Sequence, residues 1–231
     1  SKNNDLFFLM FHEIPRSADK YLLESSDYSI TSSNFVSLIE SLLSAGIGFC
    51  ALDDIICGKH SDSSKTVLLT FDDVFKSAIE NAVPLLTEKG IPFAVFVSEC
   101  FIDKDGYLSS DDILKLRDNT LCTIGFHGKN HEKLHEIKTV DAILNAFDPS
   151  DFENKYNIHC KYYAYPCGSE HMCPPRVRNL IKTTDYIAAF GTVMSSASQQ
   201  LIDTNKYYIP RMNISNKNWH DIAKQIADLD I

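Results

Sequence analysis

The sequence has no apolar run that could cross a lipid bilayer, because none approaches the roughly 20 apolar residues that a spanning helix needs. Residues 1–5 (SKNND) have neither the positively charged segment nor the apolar segment of a secretory signal. We therefore expect a protein without a transmembrane segment and without a secretory signal.

The sequence also has no CxxC pair. Its 7 cysteines are an odd number, and several lie in apolar runs, where a free thiol behaves as a small hydrophobic group. A secreted disulfide framework more often has an even, regularly spaced set. The cysteines therefore indicate a reducing compartment, and we expect the protein to be cytoplasmic.

Positive charge is in deficit. The 22 Lys and Arg residues against 31 Asp and Glu residues give a net charge of −9 and a pI near 5.3. This balance argues against nucleic acid or an anionic membrane as the main partner. With 231 residues, 44% hydrophobic content and no linker, repeat or low-complexity stretch, we expect one domain over residues 1–231.

Strand-like and helix-like patterns alternate along the chain. Between most of the apolar runs lie segments with helical periodicity, which predicts a parallel sheet with crossover helices. The runs are apolar throughout, as in strands that are buried on both faces. The predicted strands are residues 6–11, 48–52, 66–71, 92–97, 121–126, 161–165 and 186–190.

Four helices can be placed from the sequence. The first carries Phe35, Leu38, Ile39, Leu42 and Leu43 on one face, with Ser32 and Ser33 as capping candidates and Gly46 at its end. The second is marked by Ile79, Val83, Leu85 and Leu86 and is closed by Gly90. It contains Pro84, which predicts a kink. The third covers residues 174–183, and the last covers residues 218–229.

Two acidic residues and two histidines follow apolar runs in the pattern of a metal site. Asp72 and Asp73 come at the end of one run, and His127 and His131 follow another. Two imidazole nitrogens and one carboxylate oxygen can bind a divalent metal and leave positions open for water and substrate. The second carboxylate can then take a proton from that water. A spacing of four residues places both histidines on one face of a helical turn.

Each of these residues also has an ordinary structural interpretation. An aspartate after a strand often caps the next helix, and histidines in a polar segment are often exposed. A single histidine such as His12 is more often a hydrogen-bonded core residue. However, His12, the acidic pair, His127 and Pro166 all lie at the C-terminal ends of predicted strands, which share one face in a (β/α) barrel. That shared position favours a functional site.

Five motifs, in order, resemble those of the polysaccharide deacetylases, carbohydrate esterase family four. Residues 70–73 (TFDD), 127–131 (HGKNH, with Leu134 following) and 163–168 (YAYPCG) resemble the first three motifs of the family. Residues 9–14 (LMFHEI) and 209–212 (IPRM) resemble flanking motifs of a branch that includes poly-N-acetylglucosamine deacetylases. The similarity covers about residues 6–214.

The resemblance implies an α/β fold, a distorted (β/α) barrel with about seven parallel strands. It also implies a hydrolase that removes the N-acetyl group from an acetylated amino sugar. One divalent metal is expected, zinc by default and cobalt or nickel as substitutes. The implied ligands are Asp73, His127 and His131.

The remaining roles are likewise implied by the resemblance. Asp72 is the base, and His12 inherits the role of the acid because no C-terminal Leu-x-x-His is present. Tyr165, Pro166 and Cys167 face substrate, and the Cys167 N–H serves as an oxyanion donor. Arg211 is expected to hold the base, because Ala164 stands where many relatives place an arginine.

Several positions depart from the family pattern. Val74 replaces a usual glycine, and a β-branched residue tolerates positive φ poorly. Gly128 replaces a usual serine or threonine, which weakens any hydrogen bond that steadies the histidine loop. Cys167 replaces a usual tyrosine, and the family's Asp-x-x-x-Trp motif has no match.

Three alternatives to sugar N-deacetylation stay open. One is hydrolysis of a formamido sugar or of a nucleotide-linked or lipid-linked saccharide. The second is a catalytically inactive saccharide-binding domain, which Val74, Gly128 and Cys167 would explain. The third is a non-haem iron oxygenase with the same donor set, which the alternation of strands with helices disfavours.

Overall fold

The computed structural model describes residues 6–18, 20–21, 23, 25–60 and 65–228. Within these residues eight strands form one curled sheet in which every ladder is parallel. The strands are β1 (Leu6–Phe11), β2 (Gly48–Phe49), β3 (Thr66–Asp72), β4 (Phe93–Val97), β5 (Cys122–Phe126), β6 (Tyr162–Ala164), β7 (Ala188–Phe190) and β8 (Met212–Asn213). Their order is β7-β6-β5-β4-β3-β1-β8, with β2 pairing with β3. The predicted distorted (β/α) barrel is confirmed.

The chain before β8 closes the barrel. Ile209 forms a parallel bridge with Phe190 at the end of β7, and the Val193 N–H donates to the Arg211 carbonyl. The chain then continues into β8, which pairs with β1. One short segment therefore joins the two edges of the sheet, and it carries Arg211.

Alternation along the strands separates an inner from an outer set of side chains, because successive residues of a strand point to opposite faces. On β3, Leu68 packs with the cluster that fills the barrel, whereas Val67 and Leu69 belong to the cluster under the helices. Phe8 and Phe96 also belong to the inner cluster. By this parity Asp72 points into the barrel, and so do His12 and His127 beyond the ends of β1 and β5.

Ten α-helices lie within the described residues. They are α1 (Ser32–Ser44), α2 (Leu52–Ile56), α3 (Lys76–Asn81), α4 (Val83–Glu88), α5 (Ser110–Asp118), α6 (Val140–Phe147), α7 (Ser150–Tyr156), α8 (Pro175–Ile181), α9 (Gln199–Asn205) and α10 (Trp219–Asp228). Most of them pack on the outer cluster, whereas α2 and α9 contribute Leu52, Ile55 and Ile202 to the inner cluster. No described helix is long and apolar enough to span a membrane. No disulfide bond is present among the described residues, which include all seven cysteines.

All seven predicted strands are present. Strand β1 has its predicted bounds and β3 is one residue longer than predicted, whereas the other five are shorter than predicted. The predicted strand at residues 48–52 is the two-residue β2, because Leu52 already begins α2. The predicted strands at 161–165 and 186–190 shrink to three residues each. Strand β8 was not predicted, since two residues carry no periodic signal.

The helix predictions need three corrections. Thr31, and neither Ser32 nor Ser33, caps α1 by accepting from Asn34 N–H. Leu43 is 41% exposed and lies outside the buried face. The expected kinked helix is two helices, α3 and α4, with Pro84 in the first turn of the second.

Other helix predictions hold in part. Gly46 ends α1 with φ +73°. The last predicted helix is present as α10, and Leu229 at its predicted end lies outside the described residues. Helices α2, α5, α6, α7 and α9 were not predicted. The single domain over residues 1–231 remains a prediction, and residues 1–5 are outside the described part.

Two leucines of α1 offer a matched test of this core. Leu38 is fully buried, so Leu38→Ala should lower the free energy of unfolding by about 2–5 kcal/mol through lost burial and a cavity. Leu43→Ala, at an exposed position of the same helix, should change it by no more than about 0.5 kcal/mol. Urea unfolding of both variants measures the difference. Equal losses would contradict the assigned face.

Candidate metal centre

The acidic pair lies where β3 ends. Asp72 is the last residue of the strand and is buried, and Asp73 follows with φ +63°. Val74 then adopts φ +58°, although it is β-branched. Two left-handed residues in succession turn the chain sharply and bring the Asp73 side chain beside the histidines. Such conformations cost of order 1–3 kcal/mol each, and burial of Val74 in the outer core offsets part of that cost.

The two histidines lie on a loop and not on the helical turn that the sequence predicted. Gly128 has φ +94° and His131 has φ +51°, so no helix forms between them. The loop carbonyls are instead bound from residues 98–100 after β4. The Ser98 hydroxyl donates to the His127 carbonyl at 2.7 Å, the Glu99 N–H to that of Gly128 and the Cys100 N–H to that of Lys129.

The three predicted ligands converge on one point. Asp73 Oδ1 lies 3.4 Å from His127 Nε2 and 3.3 Å from His131 Nε2. His127 Nδ1 lies 2.6 Å from the Ala164 carbonyl oxygen. A carbonyl oxygen can only accept, so Nδ1 carries the proton and the Nε2 lone pair is available to a metal. Among the described residues these three are the group suited to holding a metal ion.

The donor geometry fits a small divalent cation. Although two imidazoles face it, Asp73 Oδ1 is buried and has no hydrogen bond with any described residue. Ligands at zinc distances on a tetrahedral centre lie about 3.3–3.6 Å apart, which matches the two separations. A cation bound by the three atoms would give Asp73 Oδ1 the partner that it lacks among the described residues. Zinc, cobalt and nickel all accept this donor set.

Arg211 forms a bidentate ion pair with Asp72. Arg211 Nη1 donates to Asp72 Oδ1 at 2.6 Å and Nη2 donates to Oδ2 at 2.8 Å, a bidentate fork. Arg211 Nε donates to the Gly191 carbonyl at 3.0 Å, and its guanidinium lies 5.4 Å from the Phe96 ring centroid. The arginine is fully buried. Ala164, where many relatives place an arginine, makes no such contact.

The charges around the site set its protonation. Burial alone would raise the pKa of Asp72, but Arg211 and His127 outweigh it and hold the pKa well below its usual range. Burial disfavours the charged form of His127, yet Asp72 and Asp73 raise its pKa. Burial, aided by the charge on His127, lowers the pKa of His131 to about 4. Asp72 is thus ionised and His131 neutral at neutral pH, the forms that a base and a metal ligand require.

His12 follows β1 and faces the same site. It is buried, its ring lies 5.1 Å from that of Tyr28 in an edge-to-face arrangement, and its Nδ1 has no partner among the described residues. Burial lowers the pKa of His12, and the carboxylates of Asp73 and Asp72 oppose this only in part.

A pocket of about 420 Å³ opens over these residues, within the usual range for small-ligand sites. His12, Asp72, Asp73, His127 and His131 all line it. Its other walls are Met10, Leu23, Tyr28, Tyr165, Cys167, Gly168, Ser169, Met172 and Thr192.

The three predicted substrate-facing residues differ in what they offer. Tyr165 contributes its ring, because its hydroxyl donates to the Tyr207 carbonyl and its N–H to that of Phe190. Pro166 is buried, does not line the pocket and has no N–H to donate. Cys167 lines the pocket with φ +51°, and its N–H finds no acceptor in the described part of the chain.

Sequence reasoning missed several neighbours of the site. Thr70 Oγ1 lies 3.3 Å from Arg211 Nη1. Thr70 comes two residues before Asp72 on the same strand, so strand alternation could have predicted that both side chains point to the same face. Ser98 and Glu132 brace the histidine loop but carry no motif. His135 repeats the four-residue spacing after His131, but its side chain, which is 20% exposed, lies outside the donor group.

The family model "Polysaccharide deacetylase" matches residues 59–189, more than half of the chain. The poly-beta-1,6-N-acetyl-D-glucosamine N-deacetylase of Staphylococcus aureus is 24% identical over 221 residues, which are 87% of this chain and 73% of that protein.

Solved structures share the fold. IcaB from Ammonifex degensii superposes with a TM-score of 0.75 at 20% identity, covering 97% of both chains. The Streptococcus pyogenes deacetylase PplD in complex with acetate gives 0.80 at 17% identity, covering 97% of this chain and 99% of that one.

The donor geometry predicts one divalent metal per chain. His127→Ala removes one of three protein ligands and should abolish most metal binding, as measured by elemental analysis after dialysis. His135→Ala is the matched control, because this histidine lies outside the donor group and should leave the stoichiometry unchanged. Full metal content in the His127 variant would overturn the ligand assignment.

Proposed function

The chain belongs to the polysaccharide deacetylase family, and on that premise we propose that it is a metal-dependent hydrolase of N-acetylated amino sugars in saccharides. The observation that carries the proposal is the convergence of a three-atom donor set with an arginine-held carboxylate in one pocket. This is the arrangement that hydrolysis of an amide by an activated water requires.

Asp73, His127 and His131 would hold the metal, with zinc as the first choice and cobalt or nickel as substitutes. The bound metal would act as a Lewis acid that polarises the amide carbonyl and acidifies the attacking water. Asp72 is proposed to accept the proton of that water. Its Oδ2 lies 3.8 Å from His127 Nε2, so the carboxylate is close to the donor set while Arg211 keeps it ionised and oriented.

The oxyanion needs a donor on the other side of the pocket. The Cys167 N–H fits this role because it is unpaired among the described residues and its residue lines the pocket. A backbone donor survives the replacement of the usual tyrosine by cysteine. One such donor contributes about 3 kcal/mol to transition-state stabilisation.

His12 is proposed to protonate the leaving amine. Because burial lowers its pKa, the imidazole is mainly neutral at neutral pH, and its protonated form is a stronger acid than an exposed histidine. Transfer to the amine is therefore favourable once His12 carries a proton. The products are acetate and a free amino sugar.

We propose a cytoplasmic location for the same reason as from the sequence, an odd set of seven cysteines without the regular spacing of a disulfide framework. A cytoplasmic enzyme would meet precursors, such as nucleotide-linked or lipid-linked sugars, before it met a finished polymer. The acyl group and the saccharide are therefore matters for a substrate screen.

The test is a screen of purified, zinc-loaded protein for acetate and formate release. Substrates are N-acetylglucosamine oligomers, nucleotide sugars, lipid-linked sugars and formamido sugars. Acetate from any acetylated substrate supports the proposal, and its source identifies the substrate class. Formate alone would replace deacetylation by deformylation, and bound metal without either product would indicate an inactive saccharide-binding domain.

Asp72→Asn should retain the metal but lose turnover by about 10²–10⁴-fold, because an amide cannot accept the proton of water. Acetate release and metal content are measured on the same preparation. Asp105→Asn, at an exposed carboxylate, is the control and should have wild-type activity. Turnover within a few-fold of wild type in the Asp72 variant would remove Asp72 as the base.

Arg211→Lys should lower turnover about 10–100-fold without releasing metal, since lysine keeps the charge but loses the fork that orients Asp72. Arg176→Lys is a matched control. Arg176 also donates through both Nη atoms, to the Ile137 and His135 carbonyls, but outside the pocket. Equal effects of the two substitutions would assign Arg211 a purely structural role.

A further inference from the structure

The loop that carries both histidines is braced from inside by Glu132. Glu132 Oε1 accepts a hydrogen bond from the Asn130 N–H at 3.0 Å. Its other oxygen, Oε2, is buried and has no partner among the described residues. The carboxylate therefore bonds the part of the loop just before His131 and turns its second oxygen inward.

That inward oxygen occupies the space next to Gly128. A Cβ added at Gly128 would lie 2.4 Å from Glu132 Oε2, closer than real contacts allow. Gly128 also has φ +94°, which side chains rarely adopt. In this chain the carboxylate of Glu132 fills the space that a side chain at residue 128 would occupy. The Glu132 carboxylate can therefore occupy this position only because residue 128 has no side chain.

Two further facts place Glu132 beside the site and outside the substrate space. It does not line the pocket. The negative charge of Glu132 also acts on the buried hydroxyl of Tyr163, whose pKa is raised first by burial and next by that charge. Glu132 therefore supports the loop and does not line the substrate pocket.

We propose that Glu132 is a positioning residue that fixes the His127–His131 loop in the geometry of metal binding, in place of the side chain missing at Gly128. The inference rests on the proposed function, because it assumes that these histidines bind the metal. Outer partners of metal ligands commonly change metal affinity by 10–100-fold.

The first experiment titrates metal-free protein with Zn²⁺ in a calorimeter, without substrate. Glu132→Ala should weaken Zn²⁺ binding about 10–100-fold, whereas Glu132→Gln keeps an acceptor for the Asn130 N–H and should restore most of the affinity. Glu136→Ala is the matched control, because it removes an exposed carboxylate from the same segment. Thermal unfolding of each metal-free variant shows whether it is folded before titration.

A double-mutant cycle tests the pairing with Gly128. Gly128→Ala should weaken Zn²⁺ binding strongly in the wild-type background, where the new methyl group meets Glu132 Oε2. It should weaken binding less when Glu132 is already alanine, because that contact is gone and only the backbone strain remains. Additive effects would show that the two residues do not share the space.

The kinetic constants kcat and KM give a further measurement, which a purely structural role of Glu132 would leave unchanged. At saturating Zn²⁺, Glu132→Ala should lower kcat and leave KM nearly unchanged, since the residue does not line the pocket. Wild-type Zn²⁺ affinity in folded Glu132→Ala, or equal losses in the Ala and Gln variants, would overturn the inference. If wild-type protein itself binds no Zn²⁺, the proposed function fails instead.

Discussion

The buried ion pair between Arg211 and Asp72 ties the chemistry of the site to the closure of the barrel. A guanidinium inside a protein must be paired, because an isolated buried charge is very costly. Here it is satisfied by both carboxylate oxygens, by Thr70 and by the Gly191 carbonyl. Asp72 ends β3, whereas Arg211 lies on the segment that joins the two edges of the sheet. The contact that keeps Asp72 ionised therefore also fixes that joining segment to β3. Losing either partner would leave a buried charge at a cost of about 3–5 kcal/mol.

Strand parity explains why the site could be located from the sequence. His12, Asp72 and His127 lie one step beyond or at the ends of parallel strands, and the two-residue alternation directs all three inward. The position of His131 was predicted by a different argument, its four-residue spacing from His127, which wrongly indicated a helical turn. A glycine at φ +94° and acceptors already bound from residues 98–100 keep that segment in a loop. Local spacing predicted the correct pair of residues for the wrong geometric reason.

Three of the missed helices, α5, α7 and α9, show where periodicity is weak. Helix α5 buries only Ile113 and Leu116, and it is specified mainly by the capping box of Ser109 and Asp112. Helices α7 and α9 have seven residues each, too few for a hydrophobic face to stand out. Glu132 could not have been found, because nothing in the sequence distinguishes its carboxylate from that of an exposed neighbour. Its position becomes meaningful only once Gly128 is seen to have no room for a side chain.

Backbone strain concentrates at this site. Asp73, Val74, His131 and Cys167 all have positive φ, and each lies within or beside the donor group and the pocket. Strain of this kind persists only where the surroundings over-determine it. Here the surroundings are protein: the core holds Val74, and three consecutive loop carbonyls are bound from residues 98–100. The donors are therefore arranged by the scaffold before a metal arrives, so binding need not supply the free energy of ordering the loop. Within the donor group, the buried Oδ1 of Asp73 faces two imidazole nitrogens and has no hydrogen bond with any described residue.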